Sequence, residues 1–99
     1  MTSISVLGCG WLGLPLAKHL VTNGFAVKGS VRSEEKIESL EAISVTPYVL
    51  DIDGEITEQS WGAFLDSDIL VIAIPSKNQT GFSALIRVLE SSSIKHVVF

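Results

Sequence analysis

The chain has 99 residues and a net charge of −4, and 46% of its residues are hydrophobic while 18% are charged. These proportions suit one globular domain and exclude a disordered chain, and the acidic balance argues against a nucleic-acid partner, because phosphate backbones are bound by basic surfaces. The sequence has no N-terminal signal pattern, no apolar run of the ~18 residues that a membrane span requires, and a single cysteine, which cannot form an internal disulfide. We therefore expect a cytoplasmic protein that does not bind membranes.

The first third of the chain has the pattern of one β-α-β unit. Residues 3–7 form an apolar run that predicts a strand, residues 12–23 have the apolar spacing of a helix that stops at Gly24, and residues 26–31 predict a second strand. The loop between the first strand and the helix reads G-x-G-x-x-G, from Gly8 to Gly13. In this context the loop is typical of dinucleotide binding.

Each glycine of the loop has a mechanical role in that interpretation. Gly8 permits a tight turn, Gly10 lets the backbone approach a pyrophosphate, and Gly13 lets the helix pack close to the sheet. Backbone N–H groups near Trp11 and Leu12 should face the phosphates at the positive end of the helix dipole. The alternative is a glycine turn with a purely structural role.

Two further loop residues are included among the cofactor-binding candidates. Cys9 lies inside the loop, and the alternative for it is a small residue that fills space. Trp11 is most simply a packing residue that also touches the bound cofactor. No cluster in the sequence has the spacing of metal ligands.

The rest of the chain alternates between helical and strand-like segments. We predict helices at residues 34–40, 57–65 and from Thr80 or Ser83 to 89, and strands at 44–50, 68–74 and from 96 onward. This alternation predicts an α/β fold with a doubly wound parallel sheet, the Rossmann fold, in the strand order 3-2-1-4-5. The ligand is expected across the carboxyl ends of strands one and four.

The residues after the second strand favour NADP over NAD. An NAD-binding protein has an acidic residue there, whereas this chain has Val31, Arg32 and Ser33. Arg32 can bind a 2′-phosphate bidentately, Ser33 can add its hydroxyl and N–H, and Lys36 follows one helical turn later. The alternatives are a solvated Arg32 with Ser33 as a helix cap, and NAD bound by Glu34 if the strand ends later.

Two more segments are expected to line the cofactor crevice. Asp51 follows the third strand and would lie near the adenine pocket, although residues 51–54 are also a good turn sequence. Ile74, Pro75 and Ser76 follow the fourth strand and would line the other side of the crevice.

Four segments of the chain together carry a resemblance to one protein family: residues 8–17, 29–33, 68–75 and 95–99. In these segments the chain resembles atypical extended short-chain dehydrogenases, the NAD(P)-dependent epimerase/dehydratase-like proteins. The resemblance implies an oxidoreductase or a nucleoside-diphosphate-sugar epimerase whose substrate is a small molecule such as a sugar nucleotide. It also implies a catalytic serine after the fifth strand and a Tyr-x-x-x-Lys motif. This chain contains neither, since its one tyrosine, Tyr48, is followed four positions later by Ile52. The loop also departs from the usual G-x-x-G-x-x-G spacing of that family.

Two other interpretations of the function also fit the sequence. The loop, its following proline, the Arg32–Ser33 pair and Lys36 also resemble the β-hydroxyacid dehydrogenases, which include 6-phosphogluconate dehydrogenase. A third interpretation is a non-catalytic module that senses NADP(H). Because the sequence stops inside an apolar strand, we expect residues 1–99 to be the N-terminal cofactor-binding domain of a longer protein. The alternative is a small protein that completes its core by forming a homo-oligomer.

Overall fold

The computed structural model describes residues 2–10, 12–74 and 79–98. Within them, five parallel strands form one sheet in the order β3-β2-β1-β4-β5. The strands are β1 Ser3–Leu7, β2 Ala26–Val31, β3 Thr46–Val49, β4 Ile69–Ile72 and β5 His96–Val98. The helices are α1 Gly13–Thr22, α2 Ile37–Glu41, α3 Glu58–Trp61 and α4 Gln79–Glu90, with a 3-10 turn at Glu34–Lys36 before α2.

This topology confirms the predicted fold class and strand order. Strand β1 lies at the centre, where Ile4 is in register with Val27 of β2 on one side and with Ile69 of β4 on the other. The winding direction therefore reverses between β1 and β4. A crevice at the carboxyl ends of these two strands is the place where doubly wound sheets bind their ligands.

The central strand is buried on both faces, which explains its nearly continuous apolar run. Ile4 and Val6 point into a cluster that includes Ala17 of α1 and Leu40 of α2. Leu7 points into the cluster on the opposite face. That second cluster contains Trp61, Phe64, Leu70 and Leu85.

Ser5 is the polar exception in the core of β1. It is fully buried, and its hydroxyl donates to the carbonyl oxygen of Phe64 at 2.5 Å and also pairs with the hydroxyl of Ser67. These bonds satisfy the buried hydroxyls. They also attach the segment before β4 to the centre of the sheet.

Several predicted element boundaries differ from the observed ones. The helix predicted at 34–40 is divided into a 3-10 turn and α2, and the helix predicted at 57–65 covers only Glu58–Trp61. Helix α3 begins at a capping box in which Thr57 and Ser60 each bond the other's backbone N–H. Strand β3 begins two residues later than predicted, after Ser44, which has φ +64°.

In the described part of the chain, no helix is both long and apolar enough to cross a membrane.

Candidate functional site

A cleft of about 870 Å³ opens at the carboxyl ends of β1 to β4. Within the described part of the chain, four segments line this cleft: residues 7–10 with Leu12, residues 30–33 with Lys36, residues 50–53, and residues 72–74. All four segments stand at one edge of the sheet because parallel strands end on the same side. We call this space the carboxyl-end cleft.

Two glycines of the β1–α1 loop are required by the backbone geometry. Gly8 has φ +92°, and a Cβ at this position would overlap the side chain of Ile74. A Cβ on Gly13 would overlap the carbonyl oxygen of Gly8 and lie 2.9 Å from its carbonyl carbon. The loop therefore turns tightly at Gly8, and α1 begins in contact with it at Gly13, which is the geometry predicted from the sequence.

Gly10 differs from the other two because it faces open space. Apart from the two chain neighbours of Gly10, no atom of the described residues lies within 4 Å of a Cβ built on it, so the missing side chain leaves room beside the loop. Among the described residues, the amide N–H groups of Leu12 and Gly13 have no hydrogen-bond acceptor, and no side chain caps α1. The start of this 10-residue helix thus offers donors and a positive dipole end to an anion.

The loop is fastened to β2 through Ser30 and Cys9. The Ser30 hydroxyl accepts a hydrogen bond from Gly8 N–H at 2.8 Å, and the Ser30 carbonyl accepts one from Cys9 N–H at 2.7 Å. The Cys9 side chain is buried against Gly29, where a Cβ would lie 2.6 Å from its Sγ. Burial raises the pKa of the Cys9 thiol to about 11, partly offset by a backbone hydrogen bond from Ser30. The thiol is therefore protonated at neutral pH, which favours the packing role for this side chain.

Arg32 follows β2 and reaches across the cleft to the turn after β3. Its Nη2 lies 3.5 Å from Oδ2 of Asp51 and 3.5 Å from Oδ2 of Asp53, while 71% of its side chain remains exposed. Ser33 has an extended backbone, with φ −141° and ψ 151°, and its hydroxyl forms no cap bond with the following turn. Ser33 occupies the N-cap position of the 3-10 turn, where its carbonyl oxygen accepts a hydrogen bond from Lys36 N–H, but its hydroxyl makes no cap bond. Lys36 lines the same cleft.

Asp51 has the turn role that the sequence offered as one of two alternatives. Its Oδ1 accepts a hydrogen bond from Asp53 N–H at 2.9 Å, and its carbonyl oxygen accepts one from Gly54 N–H at 3.0 Å, so the residue organises a turn. Asp51 also lines the cleft. Its contact with adenine stays a prediction.

The remaining predicted site residues divide into two groups. Ile74 lines the cleft on the β4 side, where its side chain stands against Gly8. Trp11, Pro75 and Ser76 lie outside the described residues, so their predicted contacts stay predictions. In the parts of the chain that the structure describes, no group of three or more His, Cys, Asp or Glu residues is placed to hold a metal ion.

Ser30 and Asp53 are site residues that the sequence interpretation did not identify. The available signal for Ser30 was a small polar residue directly after a glycine in the second strand, two positions before Arg32. The signal for Asp53 was weaker, because it stood only as part of a turn sequence.

Comparison with curated proteins identifies a relative of which this chain spans only part. Protein YeeZ from Escherichia coli strain K12 is 33% identical over 79 residues, which cover 78% of this chain and 29% of YeeZ. The chain thus spans about three tenths of the length of this relative.

Solved structures share the fold at low sequence identity. Gre2 from Candida albicans, solved in complex with NADPH, superposes with a TM-score of 0.75 at 18% identity, covering 98% of this chain and 36% of Gre2. An imine reductase from Bacillus cereus superposes with a TM-score of 0.61 at 19% identity, covering 89% of this chain and 27% of the reductase. At these identities the likeness concerns the fold alone.

Residues 3–98 match one protein family along nearly the whole chain, and the description of that family is NADP oxidoreductase coenzyme F420-dependent. This match confirms NADP as the predicted cofactor. It also confirms the broader part of the resemblance, an NAD(P)-binding Rossmann domain of the oxidoreductase type, whereas the short-chain dehydrogenase and epimerase assignment stays a prediction. The chain belongs to the NADP oxidoreductase coenzyme F420-dependent family.

Proposed function

We propose that this chain is the cofactor-binding part of an NADP-dependent oxidoreductase and that NADP occupies the carboxyl-end cleft. The observation that carries the proposal is the placement of an open glycine loop and a cationic pair at the same edge of the sheet. Gly10 leaves space beside the start of α1, while Arg32 and Lys36 line the same cleft. NADP has its pyrophosphate at the first kind of position and its 2′-phosphate at the second.

The pyrophosphate is proposed to lie against Gly10 and the start of α1. A hydrogen at Gly10 instead of a Cβ permits the phosphate oxygens to approach the backbone. The N–H groups of Leu12 and Gly13 are the proposed donors, since they have no acceptor within the described part of the protein. Ser30 supports this arrangement because it holds the preceding residue pair, Gly8 and Cys9, by two hydrogen bonds.

The 2′-phosphate is proposed to lie among Arg32, Ser33 and Lys36. The guanidinium offers parallel N–H donors, the Ser33 hydroxyl is not used as a cap, and the Lys36 ammonium adds a second positive charge. No acidic residue occupies the position after β2 that would bind ribose hydroxyls in an NAD-specific site. This set of residues favours the phosphorylated cofactor.

The two ends of the cofactor are assigned by position in the cleft. Asp51 on the β3 side is proposed to lie near the adenine, and Ile74, with Pro75 and Ser76 after it, near the nicotinamide. NADP, when bound, supplies the hydride-transfer chemistry of its nicotinamide. This chain's residues bind and orient the cofactor, and we assign none of them a catalytic role. The small-molecule substrate is proposed to be held by residues outside these 99.

The finer class of the enzyme is also a proposal. An epimerase or dehydratase acting on a sugar nucleotide is supported by the resemblance of residues 95–99 to the fifth strand of short-chain dehydrogenases. The parallel pairing of β5 with β4, in which His96 lies opposite Ile69, is a feature of the fold and does not distinguish this class from others. A β-hydroxyacid dehydrogenase is supported by Arg32, Ser33 and Lys36. A cytoplasmic location accords with either class.

The test is a comparison of NADPH and NADH binding by nicotinamide fluorescence, in the wild type and in Arg32→Ala. Loss of a charge-assisted contact should cost about 1.5–3 kcal/mol, so NADPH affinity should fall roughly 10- to 100-fold while NADH affinity stays unchanged. Arg87→Ala is the matched control, because Arg87 is an exposed arginine of α4 outside the cleft.

Two results would contradict the proposal. Equal wild-type affinities for the two cofactors would remove the preference for NADP. An Arg32→Ala variant that binds NADPH as tightly as the Arg87→Ala control would remove the arginine from the site. Circular dichroism of each variant establishes that it is folded.

A further inference from the structure

We infer that Asp53 is a specificity-determining residue, whose carboxylate competes with the 2′-phosphate of NADP for Arg32. This inference rests on the proposed function, because it concerns the same cleft and the same arginine. It adds that the chain carries a residue that opposes NADP binding and moderates its preference over NAD.

The geometry places two carboxylates on one nitrogen of Arg32. Oδ2 of Asp51 and Oδ2 of Asp53 each lie 3.5 Å from Nη2, and the two carboxylate side chains are 42% and 49% exposed. An exposed pair at this distance is weak, so the guanidinium can leave it when a stronger partner arrives. A dianionic phosphate is such a partner, since its bidentate hydrogen bonds with arginine are charge-assisted.

Charge repulsion between the carboxylates and the 2′-phosphate also opposes NADP binding. A 2′-phosphate bound to Arg32 would stand within a few ångströms of the carboxylates that contact the same nitrogen. Two unit charges 4 Å apart interact by about 1 kcal/mol even in water, and the phosphate carries nearly two charges. NADH has a hydroxyl in place of this phosphate, so the carboxylates oppose the binding of NADPH and leave that of NADH unaffected.

Asp53 is the better of the two carboxylates to neutralise, because the side chain of Asp51 is itself the acceptor of a hydrogen bond in the turn after β3. The turn after β3 is held by the Asp51 side chain, which accepts from Asp53 N–H, and by the Asp51 carbonyl, which accepts from Gly54 N–H. Asp53 takes part in the first of these bonds through its backbone N–H. The Asp53→Asn substitution keeps that N–H and the side-chain shape while it neutralises one of the two opposing charges.

The experiment measures NADPH and NADH binding by fluorescence titration in wild type, Asp53→Asn, Arg32→Ala and the double variant. We expect the NADPH dissociation constant to fall about three- to tenfold in Asp53→Asn, as expected from removing one charge near a dianion. The NADH constant should stay the same. The gain should vanish when Arg32 is also replaced, and it should shrink at high salt, which screens exposed charges. The control is Glu55→Gln, which removes the same charge from an exposed residue of the same loop that does not line the cleft.

The outcomes separate this inference from the proposed function. A wild-type protein that prefers NADPH, with an Asp53→Asn variant that binds NADPH no more tightly, overturns the inference and leaves the proposed function standing. A gain of equal size for NADH, or a gain equal to that of Glu55→Gln, also overturns it, because a general charge effect would then suffice. A wild-type protein that binds neither nucleotide overturns both.

Discussion

The hydroxyl of Ser30 accepts a hydrogen bond from the backbone N–H of Gly8 at 2.8 Å, which links the second strand to the first residue of the glycine loop. Ser30 is buried, and its carbonyl oxygen also accepts the N–H of Cys9. One residue of β2 therefore fixes two consecutive residues of the loop. Two positions later the same strand leads to Arg32, so the loop and the arginine are positioned by one element.

Replacing Ser30 by alanine should loosen this link. The Gly8 N–H would lose its acceptor in a partly buried position, and an unsatisfied buried donor costs about 1–3 kcal/mol of unfolding free energy. Because the loop serves the pyrophosphate that both cofactors share, NADPH and NADH affinities should fall by the same factor. Urea unfolding and nicotinamide fluorescence measure the two effects.

Ser83→Ala is the control for this prediction, because Ser83 is exposed on α4 and does not line the cleft. The interpretation of Ser30 would be contradicted by unchanged stability and unchanged binding. A loss confined to NADPH would place Ser30 in the 2′-phosphate site instead.

The sheet and the loop could be predicted from the sequence because their signals are local. The order of the strands follows from the alternation of elements and the handedness of crossovers, and residues 8–13 carry their own turn chemistry. Gly8 and Gly13 then have the conformation and the close contact that the motif requires.

The partners of Arg32 could not be predicted in this way, because they depend on contacts between distant segments. Asp51 and Asp53 stand 19 and 21 residues after Arg32 and meet it only because β2 and β3 are neighbours with aligned carboxyl ends. The Ser30–Gly8 bond likewise spans 22 residues. Periodicity and propensity report on neighbours along the chain, so they carry no information about these pairs.

Gly8 and Gly24 offer a matched pair for testing the glycine loop. Both have positive φ, +92° and +89°, but only at Gly8 would a Cβ overlap another side chain, that of Ile74. Gly24→Ala should lower the free energy of unfolding by about 1–2 kcal/mol, because alanine is strained in this left-handed conformation. Gly8→Ala should lower the free energy of unfolding by about 1–3 kcal/mol more, because its methyl group overpacks the site. It should also displace the loop from the cleft.

Thermal unfolding and NADPH titration of the two variants test this difference. Gly24→Ala should retain NADPH binding, since Gly24 ends α1 on the side away from the loop. Equal destabilisation by the two substitutions would show that Ile74 moves aside without cost. Unimpaired NADPH binding by a folded Gly8→Ala variant would separate the turn at Gly8 from cofactor binding.

Asp68 is expected to make the stability of the sheet depend on pH. Its Oδ2 accepts a hydrogen bond from Ser3 N–H at 3.0 Å and one from the Ser3 hydroxyl at 3.3 Å, and Lys95 Nζ lies 3.9 Å from Oδ1. The backbone hydrogen bond from Ser3 lowers the pKa of Asp68 below its ordinary value of 3.8. Desolvation opposes this lowering in part, while the Ser3 hydroxyl, Lys95 and the N-terminal charge add to it. These contacts tie the beginning of β4 to the beginning of β1.

A carboxyl whose pKa is lower in the folded state stabilises that state above its unfolded pKa, and the stabilisation is lost as the pH falls through the folded value. Asp68→Asn should therefore lower the midpoint of thermal unfolding at pH 7, and the difference from wild type should shrink as the pH falls below 3.8 and disappear once the pH is below the folded-state pKa of Asp68. Glu90→Gln, a charge change at the exposed end of α4, should show no such dependence. Melting curves from pH 7 to pH 2 test the prediction. A melting-temperature difference that stays constant across this range would contradict it. The asparagine amide would then be a poorer hydrogen-bond partner or a poorer fit at every pH, and the charge of Asp68 would not stabilise the sheet.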